Sequence, residues 1–127
     1  MCAVKIEKFT DLTVWQKSHE LALLVYRLTE RFPERERFGV TSQIRRSAAS
    51  TAANIAEGFG RRTTRELMRS LQIARGEVEE TRYFSILSRD LGILPKADFE
   101  AVDGRCDVVA KLINALTTSL KRRVGES

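Results

Sequence analysis

The most constraining stretch of the chain spans residues 43–58, where helical periodicity is carried by side chains far smaller than those of an ordinary core helix. Ile44, Ala48, Thr51 and Ile55 form an apolar row at helical spacing, interleaved with the polar residues Gln43, Arg46, Asn54 and Glu57. Small residues let neighbouring backbones approach closely. The pattern therefore predicts a helix buried on more than one side, with specific hydrogen bonds among its apolar contacts.

The rest of the chain supplies partners for that helix. Its two prolines, Pro33 and Pro95, fall between long periodic segments, where helices stop or start. A first helix is expected over about residues 11–31, with Leu12, Trp15, Ala22, Val25, Leu28 and Phe32 near one face. The small-residue helix follows over about 41–58, with Gly58 and Gly60 as its break signals. Thr63 and Glu66 fit a capping box and set the start of a third helix. Its stripe runs Leu67, Leu71, Ala74, Val78, Thr81, Phe84, Leu87, Leu91, up to Gly92. A fourth helix opens at Pro95 and carries Phe99, Val102, Cys106, Val109, Leu112, Ile113, Leu116 and Leu120, with Lys121, Arg122 and Arg123 near its end and fraying expected beyond. Gly76 and Gly104 lie inside these helices, where each costs about 1 kcal/mol relative to alanine; close helix contact would compensate, and the plain alternative is a pair of tolerated surface glycines. No strand alternation or internal repeat competes, and the short connections favour antiparallel neighbours. The expected fold is all-α: one domain over residues 1–127, an antiparallel up-down-up-down four-helix bundle.

A chain of 127 residues can bury a sizeable core without staples. No apolar run is long enough for a membrane span, and residues 1–8 carry no export signal, so a cytoplasmic protein without a membrane partner is expected. Cys2 and Cys106 are a poor basis for a disulfide framework and are read as reduced thiols. Net charge of +5 favours anionic partners.

Enzymatic readings find little support. A di-iron bundle needs Glu-x-x-His on two helices, whereas the single histidine, His19, is preceded at that spacing by Gln16. Neither cysteine is placed to form a nucleophilic pair with His19, and the segment Gly58, Phe59, Gly60 lacks the residues that complete a phosphate loop. No cofactor, metal site or catalytic residue is expected. Trp15 is read as core rather than as a stacking platform.

Two groups of polar residues stand out instead. Arg61, Arg62, Arg65 and Arg69 form a basic arc, with positions 62, 65 and 69 expected on one helix face, where they would line up along phosphates. Arg45, Lys121, Arg122 and Arg123 add further cations, and binding of RNA or DNA through such a surface would be strongly salt-dependent. The plain alternative is a solvated basic face. The second group, Arg46, Asn54, Glu57, Glu77 and Glu80, flanks apolar stripes and is expected to pair between helices or between subunits.

Three segments carry a family resemblance: Asp11, Leu12, Val14 and Trp15; Arg45 and Arg46 leading to Asn54, Ile55, Ala56, Glu57 and Gly58; and Leu71 through Gly76. In that order and separation they resemble the four-helix-bundle family associated with 23S ribosomal RNA intervening sequences. Glu77 stands where a small residue is common in that family. The resemblance implies a ring-like homopentamer in a family whose biochemical role is unresolved. A related branch is similar to the accessory proteins of diversity-generating retroelements, in which a basic pentamer binds nucleic acid and a reverse transcriptase. The expectation is a non-enzymatic, self-assembling bundle that binds RNA or a nucleoprotein complex, with a protein-interaction scaffold as the rival.

Overall fold

The computed structural model describes residues 5–126, so Cys2 lies outside the described residues. Four helices carry the fold: α1 (Thr13–Thr29), α2 (Val40–Gly60), α3 (Thr64–Asp90) and α4 (Lys96–Glu126). Short 3-10 turns at Phe9–Asp11 and Glu34–Glu36 precede α1 and α2. Among the described residues there is no strand, and no helix is long and apolar enough to cross a membrane.

Local chemistry accounts for the helix ends. The Thr29 hydroxyl turns back onto the Val25 carbonyl at 2.8 Å, in the last turn of α1 ahead of Pro33. At the start of α2 the Glu36 carboxylate accepts from the Val40 amide at 3.4 Å. Half of the expected capping box forms at α3, where the Thr63 hydroxyl accepts from the Glu66 amide at 3.2 Å; no return bond from Glu66 is made among the described residues. α3 ends in a Schellman turn: Gly92 adopts φ +77°, and the amides of Gly92 and Ile93 return to the carbonyls of Arg89 and Ser88. α4 stays helical through Glu126, beyond the point where fraying was expected.

α1 packs on α2 and α4, and α3 packs on the same two helices, while the diagonal pairs make no close backbone approach among the described residues. Successive cross-contacts run in opposite directions along neighbouring helices: Ser47 meets Thr81 and, further along α2, Gly58 meets Ser70 earlier in α3. Arg82 of α3 is held by Asp103 at 2.8 Å and Asp107 at 2.9 Å on α4. Burial penalises the Arg82 cation, and the bonds to Asp107 and Asp103 outweigh that penalty and raise its pKa. The result is the antiparallel four-helix bundle.

The predicted row Ile44, Ala48, Thr51 and Ile55 is almost fully buried. Its polar neighbours are satisfied locally: Thr81 donates to the Ser47 hydroxyl at 2.8 Å, Ser47 to the Ile44 carbonyl at 3.2 Å, and Thr51 to the Ser47 carbonyl at 3.0 Å. These three hydroxyls therefore have their donors used, whereas the buried Ser85 hydroxyl on α3 and the Thr41 hydroxyl on α2 have no partner among the described residues. Gly58 does not end α2. It is buried, and a Cβ placed on it would fall 2.4 Å from Ser70 Cβ, so it is a close-approach glycine.

Other assignments shift. On α1 the deepest apolar residues are Val14, Leu21, Leu24 and Val25, while Leu12, Trp15 and Leu28 are only partly buried against them. Leu91 is exposed, because α3 has already ended beside it. Gly76 and Gly104 face open space within the chain, so no helix contact inside this bundle compensates them.

Candidate nucleic-acid interface

The antiparallel topology returns the end of α4 to the start of α3, and cations from three segments converge there. Arg62 and Arg123 line a hollow of about 810 Å³ together with Lys8, Thr63 and Thr64, over an apolar floor that includes Phe9, Phe59 and Leu120. Arg65 and Arg123 border an adjoining hollow of about 640 Å³, and one carboxylate lines each of the two, Glu7 the first and Glu66 the second. The side chains of Arg62, Arg65 and Arg123 are thus arrayed across one end of the bundle, beside the N-terminus of α3, where backbone amides also favour anions.

The N-terminal segment is fixed in place at this end. The Asp11 carboxylate accepts from the amides of Glu7 at 2.9 Å and Lys8 at 3.0 Å. The bonds from Lys8 and then Glu7 hold its pKa below the ordinary value. Phe9 packs edge-on against Trp15, with centroids 5.0 Å apart, and Trp15 stacks on the exposed His19 at 4.9 Å. Trp15 is therefore a half-buried clasp for the N-terminal turn. Cys106 is buried in the core, and its thiol is pushed up to about 12 by burial, so it has no path to His19 chemistry. Among the described residues no cluster of histidine, cysteine and carboxylates could hold a metal ion.

The basic arc is rearranged relative to expectation. Arg62 does not share the α3 face with Arg65 and Arg69: it precedes the Thr63 cap and sits at φ +64°, the one described non-glycine residue in the left-handed region. Arg69 instead joins Arg61, Glu57 and Glu66 around a smaller hollow of about 190 Å³, where carboxylates offset the cations. Arg61 pairs with Glu57 at 4.0 Å. Lys121 and Arg122 are exposed on the last turns of α4. Arg45 lies apart from all of these, near the opposite end of α2, bonded to Thr29 and stacked over Tyr26.

The second polar group also divides. Arg46 reaches across from α2 to Glu77 at 3.4 Å and to Glu80, with Gln43 orienting it at 3.1 Å. Asn54 bonds the Ser50 carbonyl within its own helix, and Glu57 has only the neighbouring Arg61. Within this chain these two residues make no bridge between helices among the described residues. Sequence reasoning missed Lys8, Thr64 and the apolar floor of the large hollow. The available signal was topological: an antiparallel bundle must return residue 123 to the neighbourhood of residue 62.

Comparison with known proteins agrees with this architecture. Residues 10–115 match the model of the 23S rRNA-intervening sequence protein family. A crystal structure of a protein with unknown function from the S23 ribosomal protein family of Bacteroides thetaiotaomicron is similar, with a TM-score of 0.77 and 25% identity over 83% of this chain and 95% of that one. No curated protein matches. The family match extends over most of the chain and all but the end of its four helices, and the chain belongs to the 23S rRNA-intervening sequence protein family.

Proposed function

We propose that this protein is a non-enzymatic, self-associating cytoplasmic bundle that binds RNA through its basic end. The observation that carries the reading is the convergence of Arg62, Arg65 and Arg123 from separate segments around two adjoining hollows. Cations so spaced suit successive phosphates, and the wide, open floor suits a bulky polyanion better than a small metabolite. Self-association as a ring of five would repeat this surface, and repetition strengthens binding to a long polyanion without any new contact. The exposed side chains of Leu23, Ile73, Tyr83 and Val108 supply apolar area for such contacts. A nucleic-acid-processing enzyme such as a reverse transcriptase is the protein partner compatible with this role.

The test compares structured RNA and duplex DNA of matched length across a salt series, using nuclease-treated protein and an Arg62→Glu/Arg65→Glu/Arg123→Glu variant of verified mass. Binding should weaken steeply with salt, and the variant should lose most affinity and reduce the salt slope by about two to three. A mass of several subunits is expected for both proteins. Absence of binding at low salt overturns the RNA reading in favour of a protein scaffold, and a variant that binds like the parent overturns its placement at the basic end. A monomeric mass at micromolar concentration overturns the assembly.

A further inference from the structure

The corner between α1 and α2, at the far end of α2 from the basic surface, carries features that the RNA-binding reading does not use. Phe38 is 87% exposed, the most exposed large hydrophobic side chain described, in the segment just ahead of α2. Burial cannot explain an aromatic ring held in water. Beside it lies a hollow of about 370 Å³ lined by Tyr26, Arg37, Phe38, Thr41, Ser42, Arg45 and Arg46, without a carboxylate among its lining residues. That volume lies within the ordinary range for small-ligand sites, about 300–1,000 Å³.

Aromatic faces alternate with guanidinium groups around this hollow. Arg37 lies over the Phe38 ring at 5.4 Å, and Arg45 over the Tyr26 ring at 4.7 Å. Arg45 donates to the Thr29 hydroxyl at 2.7 Å and the Tyr26 carbonyl at 3.3 Å, neutral acceptors that fix its plane and leave its charge uncompensated. Among the described residues Arg37 has one carboxylate partner, the exposed Glu34 at 3.5 Å. Arg46, at the edge, is committed to Glu77 and Glu80.

A separate observation points to a ligand. Thr41 lines this hollow and the smaller one adjoining it, is more than nine-tenths buried, and its hydroxyl has no hydrogen-bond partner. The other threonine of α2, Thr51, bonds back to a carbonyl of its own helix, whereas Thr41 does not; the buried Ser85 hydroxyl on α3 is the second one without a partner among the described residues. It sits in the first turn of a 21-residue helix, beside amides that favour an anion.

We propose that this corner holds one nucleotide of single-stranded nucleic acid. Its base stacks on Phe38 against the Tyr26 side of the hollow, and its phosphate is met by Arg37 and Arg45, with the Thr41 hydroxyl donating to it. Stacking on an aromatic ring is tolerant of base identity, so the site recognises single-strandedness rather than sequence. The inference stands apart from the basic-end reading, because α2 separates the two sites by roughly 30 Å.

The experiment uses a ribotrinucleotide, too short to span that distance, and an abasic trinucleotide of equal charge, each titrated by amide NMR. The proteins are wild type, Phe38→Ala, and the Arg62→Glu/Arg65→Glu/Arg123→Glu variant. Phe38 is too exposed for its truncation to unfold the protein. The inference expects shifts clustered at residues 37–45, affinity lower by about fivefold or more for the abasic probe and in Phe38→Ala, and both effects intact in the charge-reversed variant. Equal binding of both probes, an unaffected Phe38→Ala variant, or shifts confined to residues 59–66 each overturn it. Loss of long-RNA binding in the charge-reversed variant, with no trinucleotide shifts at residues 37–45 in any of the three proteins, would sink this inference alone. The converse result would sink only the basic-end reading.

Discussion

A Cβ on Gly58 would lie 2.4 Å from Ser70 Cβ and 2.6 Å from Ser70 Oγ, so α2 and α3 approach as closely here as the absence of a side chain permits. Alanine would ordinarily gain about 1 kcal/mol over glycine inside a helix. The clash is with a buried, short side chain that has no room to rotate away, so steric cost wins. Gly58→Ala should lower stability by about 1–3 kcal/mol in urea unfolding. A double-mutant cycle with Ser70→Gly should return a favourable coupling of about 1 kcal/mol or more. Additivity of the two substitutions would show that the helices are not in contact at this point.

Arg62 occupies the position after the α2 cap where glycine is usual, and its left-handed backbone costs about 1–2 kcal/mol. Arg62→Gly should therefore raise stability by about 1 kcal/mol while weakening RNA binding, a trade expected where strain is kept for function. Arg62→Ala separates the two effects: it should weaken binding without the gain in stability. Thermal unfolding and the salt series together check both. A destabilised Arg62→Gly protein would remove the strain argument.

How much of this was legible in the chain depended on whether the signal was local. The α2 row was readable because its helical period and its burial coincide. On α1, Leu21, Ala22, Leu23, Leu24 and Val25 run consecutively, so the pattern could not say which face turns inward, and Leu23 proves to be outside. Gly58 carries the same local signal as a helix stop, and only Ser70 in the next helix distinguishes the two roles. The meeting of Arg62 with Arg123 required the bundle's topology. The hollow beside Phe38 required the path of the connection between α1 and α2, on which periodicity is silent.

Arg46 bridges α2 to Glu77 and Glu80 on α3 while remaining 44% exposed, so solvent screening limits what the bridge contributes. Arg46→Met should cost no more than about 1 kcal/mol, and a cycle with Glu80→Gln should give a coupling of about 0.5 kcal/mol that shrinks at high salt. Glu57→Gln, whose one ion pair among the described residues is a 4.0 Å contact with Arg61 at the C-cap of its own helix, should change stability by less than about 0.5 kcal/mol. If Glu57→Gln instead lowers the oligomer mass, Glu57 has a partner in another subunit, and the basic end lies near the assembly contact.

Cys106 gives a signature of the core at alkaline pH. Burial raises its pKa from 9.0 to about 12, with the nearby Arg82 cation opposing that shift, so the folded protein keeps the thiol protonated where the unfolded chain ionises. A raised folded pKa contributes stability fully below the unfolded value and loses it as pH climbs from 9.0 toward about 12. In a Cys2→Ser background, stability should fall by about 2 kcal/mol between about pH 8 and 10.5 beyond the fall seen in Cys2→Ser/Cys106→Ala. The second protein subtracts the titration of lysines and tyrosines, which both share. Over the same range a thiol reagent should label Cys106 only at the rate at which the bundle opens. Parallel pH profiles for the two proteins, or rapid labelling at neutral pH, would mean that the α3–α4 seam admits water to the sulfur.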